Sequence, residues 1–198
     1  MSMVFSTFNC SPKYDAAHAT GFTLIEILLA TALLAVIVAI GTPSFSHLIN
    51  NYKLRQAAES IADHLRYARS VAIKRNQPTY VSFSTDTQSN WCYSISTLSS
   101  CDCQSTNINN SCPTFQQGER YTQYVESNQF KGVSLRRVRF GNSSTTRFDP
   151  VRGTAKFGSL ELIAVNKSAV EIRLSILGRV RVCINSTQSS SFSNYPIC

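Results

Sequence analysis

The 198-residue chain carries 19 Lys and Arg against 11 Asp and Glu, a net charge of +8, which suits a polyanion or an anionic surface as partner, or else a merely solvated basic surface. Three histidines, His18, His47 and His64, are too few and too scattered to build a metal centre. With no Gly-rich phosphate loop and no Gly-x-Ser-x-Gly either, the composition argues against an enzyme and calls for no cofactor.

The first 21 residues precede an apolar run, Phe22 to Ile40, whose only charge is Glu26. As a helix this run would be about 28 Å long, close to the hydrocarbon thickness of a bilayer. It is too long and too uniformly apolar for a buried core helix. It is also longer than the apolar part of a secretory signal, and the better cut site lies before it, after Gly21. A carboxylate at the start of a membrane helix is costly and so marks a function. Cutting after Gly21 would give Phe22 a free amine, a cation for Glu26 to pair with.

Gly41-Thr42-Pro43 closes the apolar run with two poor helix residues, yet helical spacing resumes at once. Leu54, Ala58, Ile61, Leu65, Ala68 and Ala72 recur every three or four residues, while Arg55, Glu59, Asp63, Arg66 and Arg69 supply polar faces. This predicts one helix from Phe22 to about Asn76, weakened near Gly41–Pro43 and ended by Gln77-Pro78. Beyond it the period changes to two. Strands are predicted at Thr79–Thr85 and Trp91–Thr97, as a hairpin, then near Tyr121–Val125, Val133–Phe140, Thr146–Phe148 and Leu160–Val165. Val170 to Ile176 and Val180 to Ile184 read as one-sided strands joined at Leu177-Gly178, and the tail from Asn185 is Ser-rich. The domains expected are therefore a leader at 1–21, a membrane or filament-core helix at 22–41, its amphipathic continuation at 42–77, and a β-rich domain at 78–198.

Of the seven cysteines, Cys10 lies in the leader and six remain. An even number in an exported domain points to disulfides, with zinc at Cys101, Cys103 and Cys112 as the rival. Cys183 and Cys198 are expected to pair and pin the tail. Cys101 and Cys103 are too close to bridge each other. They are expected to pair separately with Cys92 and Cys112, in either order.

The basic excess is concentrated late: twelve Lys or Arg against four acids between Arg120 and Arg181. In Gly178-Arg179-Val180-Arg181 the Gly allows a tight turn. The two arginines are two apart on a strand, on one face and about 6.6 Å apart, and can each grip phosphate oxygens. Arg136, Arg137 and Arg139 form a second cluster, with Arg137 and Arg139 expected on one face and Arg136 opposite. Phe192 and Tyr195 in the tail offer rings for bases or for packing on the sheet.

Gly21-Phe22-Thr23-Leu24-Ile25-Glu26 resembles the class III signal of type IV prepilins and type II secretion pseudopilins. The resemblance implies a prepilin peptidase that cuts after Gly21 and methylates Phe22. It also implies a Glu26 that pairs with a neighbouring subunit's N-terminus during assembly. The whole chain is similar to minor pilins and pseudopilins of the FimT/GspH type. That implies an α+β pilin fold, one long N-terminal helix packed on a C-terminal antiparallel β-sheet domain. It implies a non-enzymatic subunit in the inner membrane with its globular domain in the periplasm, later joining other pilins in a filament. Gly178-Arg179-Val180-Arg181 is similar to the Gly-Arg-x-Arg of FimT-like minor pilins, where it implies DNA binding in natural transformation. A pseudopilin at the tip of a secretion pseudopilus, or a priming subunit that ignores DNA, fits the same residues.

Overall fold

The computed structural model describes residues 21–86, 90–97, 101–105, 112, 122–185 and 195–198, and not the side chains of 41–44 and 122. The leader, Phe192 and most of residues 99–118 lie outside the described residues. The chain divides into two compact units, Met1–Thr42 and Pro43–Cys198. The boundary falls where Gly41 and Pro43 weaken the helical pattern.

Helix α1, Leu24–Arg75, runs through both. It starts because Thr23 caps it: its Oγ1 accepts the Glu26 N–H at 3.3 Å, and its carbonyl accepts the Ile27 N–H at 3.3 Å. In the first unit every residue from Gly21 to Ile40 is exposed, apolar side chains included. Among the described residues no single helix is long and apolar enough by itself to cross a membrane; Leu24–Ile40 and Phe45–Arg75 meet that test only together. The helix ends as Asn76 takes φ 49° and Gln77 N–H reaches back to the Ala72 carbonyl, with Pro78 unable to continue.

In the second unit the apolar stripe on α1 is sealed. Leu54, Ala57, Ala58, Ile61, Ala62, Leu65, Ala68 and Ala72 are all buried. Each buried Leu or Ile contributes roughly 1.5–3 kcal/mol, and the alanines leave room for the strands to come close. The strands are β1 Thr79–Thr85, β2 Trp91–Ser96, β3 Thr122–Glu126, β4 Val133–Phe140, β5 Thr145–Phe148, β6 Gly158–Ala164, β7 Ala169–Leu174 and β8 Val180–Cys183. They form two antiparallel sheets, ordered β3-β2-β1-β5 and β4-β6-β7-β8. A 3-10 turn at Ser127–Phe130 and Gly132 at φ 87° carry the chain from one sheet to the other.

Aromatic rings join the first sheet to the second and to the 3-10 turn between them. Phe83 stacks on Phe140 at 5.7 Å, Trp91 stacks on Phe130 at 5.9 Å, and Trp91 Nε1–H donates to the Val133 carbonyl at 2.8 Å. All six residues of β2 are buried, so its second face is covered as well. Cys92–Cys103 and Cys101–Cys112 hold chain beside that face, with Cα separations of 6.1 and 4.9 Å. The thiols that could have held zinc are therefore spent in bridges, in the order that spacing left open. A third bridge, Cys183–Cys198, spans 5.1 Å between Cα atoms and ties the tail to β8. Ile184 and residues 196–198 add two backbone hydrogen bonds there.

One polar pair sits at the helix–sheet boundary. His64 Nδ1 meets the Tyr93 hydroxyl, and burial holds the His64 pKa below its ordinary 6.5, against a smaller upward pull from Asp63. The unfolded chain therefore takes up a proton there before the folded one does, and stability falls as pH drops through 6.5. Thermal melts of the second unit are expected to be flat above about pH 7.5 and to fall as pH is lowered from about 7 to 5. His64→Gln is expected to flatten that part of the profile; an unchanged profile would exclude this source.

Candidate functional site

The described residues hold no group of three His, Cys, Asp or Glu that could bind a metal. What the fold does assemble is charge on the outer face of the second sheet. Leu160, Ile172 and Val182 point inward and are buried, so the residues alternating with them point out. Cα partners run Arg139–Ser159, Ser159–Arg173 and Arg173–Arg181. One row across four strands therefore carries three arginines and a serine. At about 4.8 Å between strands, Arg173 and Arg181 are immediate neighbours and Arg139 lies roughly 10 Å from Arg173.

The next row is acidic: Glu161 and Glu171 face each other across β6 and β7, with Arg136 opposite Glu161. Glu171 grips Arg173 with both oxygens, at 3.0 and 3.3 Å, which holds the Arg173 pKa above its ordinary value. Arg173 also donates to the Cys198 carbonyl at 3.0 Å. Arg137 lies 3.6 Å from Glu161. Among the described residues Arg139, Arg179 and Arg181 form no ion pair. Arg173 thus extends the row mainly as a spacer, while Arg139 and Arg181 carry its open charge, with Arg179 beside them in the turn.

The arginines of β4 depart from expectation. Arg136 does not face away from Arg137 and Arg139; all three are exposed. The cause is a bulge: Arg137 takes φ 49° and the register with β6 shifts between Arg136 and Arg139. The extra residue lets Leu135 and Phe140 both reach the core while every arginine stays out.

At the other edge, β7 turns into β8 through Ser175 to Arg179. Gly178 N–H donates to the Ser175 carbonyl at 2.9 Å, and Ser175 N–H donates to the Arg179 carbonyl at 3.0 Å. Gly178 has φ 73°, and a Cβ there would lie 2.4 Å from the Gly153 carbonyl oxygen. That carbonyl accepts from Arg69 Nε at 3.0 Å. Arg69, which periodicity places on a polar face, instead anchors the turn that presents Arg179 and Arg181; nothing local in the sequence signals this. Beside the turn opens a cleft of about 880 Å³, lined by Arg139, Arg173, Arg179 and Arg181 and by exposed apolar side chains. Tyr195 is partly buried and packs against the core. Its hydroxyl donates to Glu59 at 2.7 Å and its ring lies under Arg55 at 5.3 Å, so it braces α1. At the other end of the chain, Gly21, Phe22 and Glu26 are all exposed, with Glu26 in the first turn of α1, where a carboxylate also suits the helix dipole.

A long N-terminal helix with a bare apolar start, packed further on against antiparallel sheets, defines a subunit of the type IV pilin and pseudopilin class. Residues 57–188 match the profile of the family described as type II transport protein GspH, and the chain belongs to that family. Two solved structures are similar. The minor pseudopilin EpsH of the Vibrio cholerae type 2 secretion system has 12% identity and a TM-score of 0.45, over 67% of this chain and 97% of that one. The type IV minor pilin FimU of Pseudomonas aeruginosa has 15% identity and a TM-score of 0.43, over 66% of this chain and 88% of that one. No curated protein matches the sequence.

The turn makes a stability prediction. Gly178→Ala is expected to lower the stability of the second unit by roughly 1–3 kcal/mol from the positive φ alone, more if the Gly153 contact cannot relax. Urea unfolding measures it, and an unchanged midpoint would contradict the geometry.

Proposed function

We propose that the chain is a non-enzymatic minor subunit of a type IV pilus-type filament anchored in the inner membrane. What carries this reading is the combination of Gly21-Phe22-Thr23-Leu24-Ile25-Glu26, at the head of an exposed apolar helix, with a GspH-family domain behind it. In this reading a prepilin peptidase removes residues 1–21. Residues 22–41 lie in the membrane and then in the filament core, 42–77 carry the helix on, and 78–198 form the globular head on the periplasmic side. Bare apolar side chains from Phe22 to Ile40 are then covered by lipid first and by other pilins later. Glu26 pairs with the Phe22 amine of a neighbouring subunit, a contact that gains strength from the low dielectric around it.

A second reading concerns the head: it binds DNA for natural transformation. Its support is the row Arg139–Ser159–Arg173–Arg181, which joins the β4 cluster to the Gly178–Arg181 turn on one face. Arg179, Arg181 and Arg139 would hold phosphates, with Arg136 and Arg137 at the margin. The alternative is a tip pseudopilin of a type II secretion system, or a pilus-priming subunit. It would use the same N-terminal contacts and leave these arginines dispensable.

Glu26→Ala is expected to be cut normally after Gly21 but to drop out of filaments. Loss of one partner from a buried ion pair costs about 3–5 kcal/mol, enough for a more than hundredfold loss of incorporation. Immunoblots of sheared filaments read this, and normal incorporation would refute the assembly role.

For the head, Arg179→Ala with Arg181→Ala is expected to lower the slope of log affinity against log salt by about 2 on duplex DNA. Arg66→Ala with Lys74→Ala removes equal charge from exposed helix positions and serves as control. Arg69 cannot serve, because it holds the turn. Equal losses from both pairs would mean diffuse electrostatics, and unaffected DNA uptake would favour the secretion or priming alternative.

A further inference from the structure

The cleft at the β7–β8 turn has two kinds of wall. Arg139, Arg173 and Arg181 form the basic row already described, and Arg179 follows Gly178 in the turn. The lining also includes Glu171, already bound to Arg173, and three apolar side chains, Phe157, Ile176 and Leu177, which are 61%, 61% and 69% exposed. Phe157 directly precedes Gly158, whose Cα partner on β7 is Leu174, and Ser175, the next residue along, is bonded to Arg179. The ring therefore stands at the level of Ser175 and Arg179, about two strand spacings (roughly 10 Å) from the Arg179 backbone. The floor between them is made of small residues, Gly141, Ser159 and Ser175, which is why a cleft opens there.

A surface that reads only duplex phosphates has no use for this apolar wall. The outside of a duplex presents phosphates, and its base faces are stacked away inside. A single strand presents both at once, a charged backbone and bare base faces, and stacking on an aromatic ring tolerates any sequence. The arginines with no ion-pair partner among the described residues and the exposed ring line one cleft, which matches that arrangement in charge and in polarity.

We infer that the cleft takes single-stranded DNA, with a base on Phe157 flanked by Leu177 and the backbone on Arg179, Arg181 and Arg139. This rests on the proposed DNA-binding role and specifies the form of DNA. The rival occupant for a cationic and apolar cleft is an acidic, apolar segment of a protein partner.

The test uses the unit Pro43–Cys198, which contains every buried apolar residue of the described core and so carries its own fold. Fluorescence anisotropy compares labelled oligo(dT) of about 15 nucleotides with a duplex of equal length, at about 50 and 200 mM salt. The single strand is expected to bind about tenfold tighter than the duplex. Phe157→Ala is expected to weaken single-strand binding about 5- to 100-fold and leave duplex binding within about twofold. Phe157→Trp keeps the ring. It is expected to retain affinity and to show fluorescence quenching on oligo(dT), a signal that the buried Trp91 does not supply. Melting curves of each variant check folding.

Equal affinity for both DNA forms with a silent Phe157→Ala would overturn the single-strand inference while leaving DNA binding in place. Parallel loss of both affinities in Phe157→Ala would also overturn it. No binding of either form at the lower salt would remove both readings and leave the acidic protein segment as the occupant.

Discussion

The face of α1 from Leu54 to Ala72 must be covered, and covering it determines where everything else in the globular unit can point. Alanines at 57, 58, 62, 68 and 72 let strands approach closely, and the larger Leu54, Ile61 and Leu65 fill the gaps. Both sheets feed side chains into that one core, locked together by Phe83 on Phe140 and by Trp91 on Phe130. Because the inner face of the second sheet is committed to the core, period-two alternation leaves its outer face to whatever the sequence places between the core residues. There it places arginine. The cross-strand register turns arginines scattered over 43 positions, from Arg139 to Arg181, into one row.

Rigidity at that face comes from a few close contacts. Gly178 fits only as glycine because the Gly153 carbonyl presses on it, and Arg69 reaches from α1 to hold that carbonyl. The Cys183–Cys198 bridge fixes the tail beside β8, where the Cys198 carbonyl accepts from Arg173. Glu171 neutralises Arg173 but leaves Arg179 and Arg181 without an acidic partner among the described residues. The face is a patterned surface, a basic row beside an acidic one.

Much of this was legible in the sequence because it depends on periodicity. The three-to-four spacing of Leu54 to Ala72 marks the helix face, and the alternation in Val170–Ile176 and Val180–Ile184 marks two strands, each within two residues of its observed bounds. The division into two sheets was not legible, because it depends on a 3-10 turn and Gly132 redirecting the chain, which no period records. The side of Arg136 was misread for a similar reason: strict alternation fails at a bulge, and Arg137 gives no local signal that it will take a positive φ. Arg69 looked like a solvated helix charge because its partner is 84 positions away. The Gly21–Glu26 segment is the reverse case. Its proposed role is read from sequence resemblance, while the isolated chain shows only an exposed helix start, since the proposed partners are lipid and other subunits.

We propose that this chain leaves the membrane as a cut subunit of a filament, present in few copies beside a major subunit. The most direct measurement is mass spectrometry of the N-terminal peptide in purified filaments from cells expressing the intact chain. The account predicts a peptide that begins at N-methylated Phe22, at a small fraction of the abundance of the major subunit's N-terminal peptide. Chain that is absent from filaments, or present with residues 1–21 still attached, would contradict it.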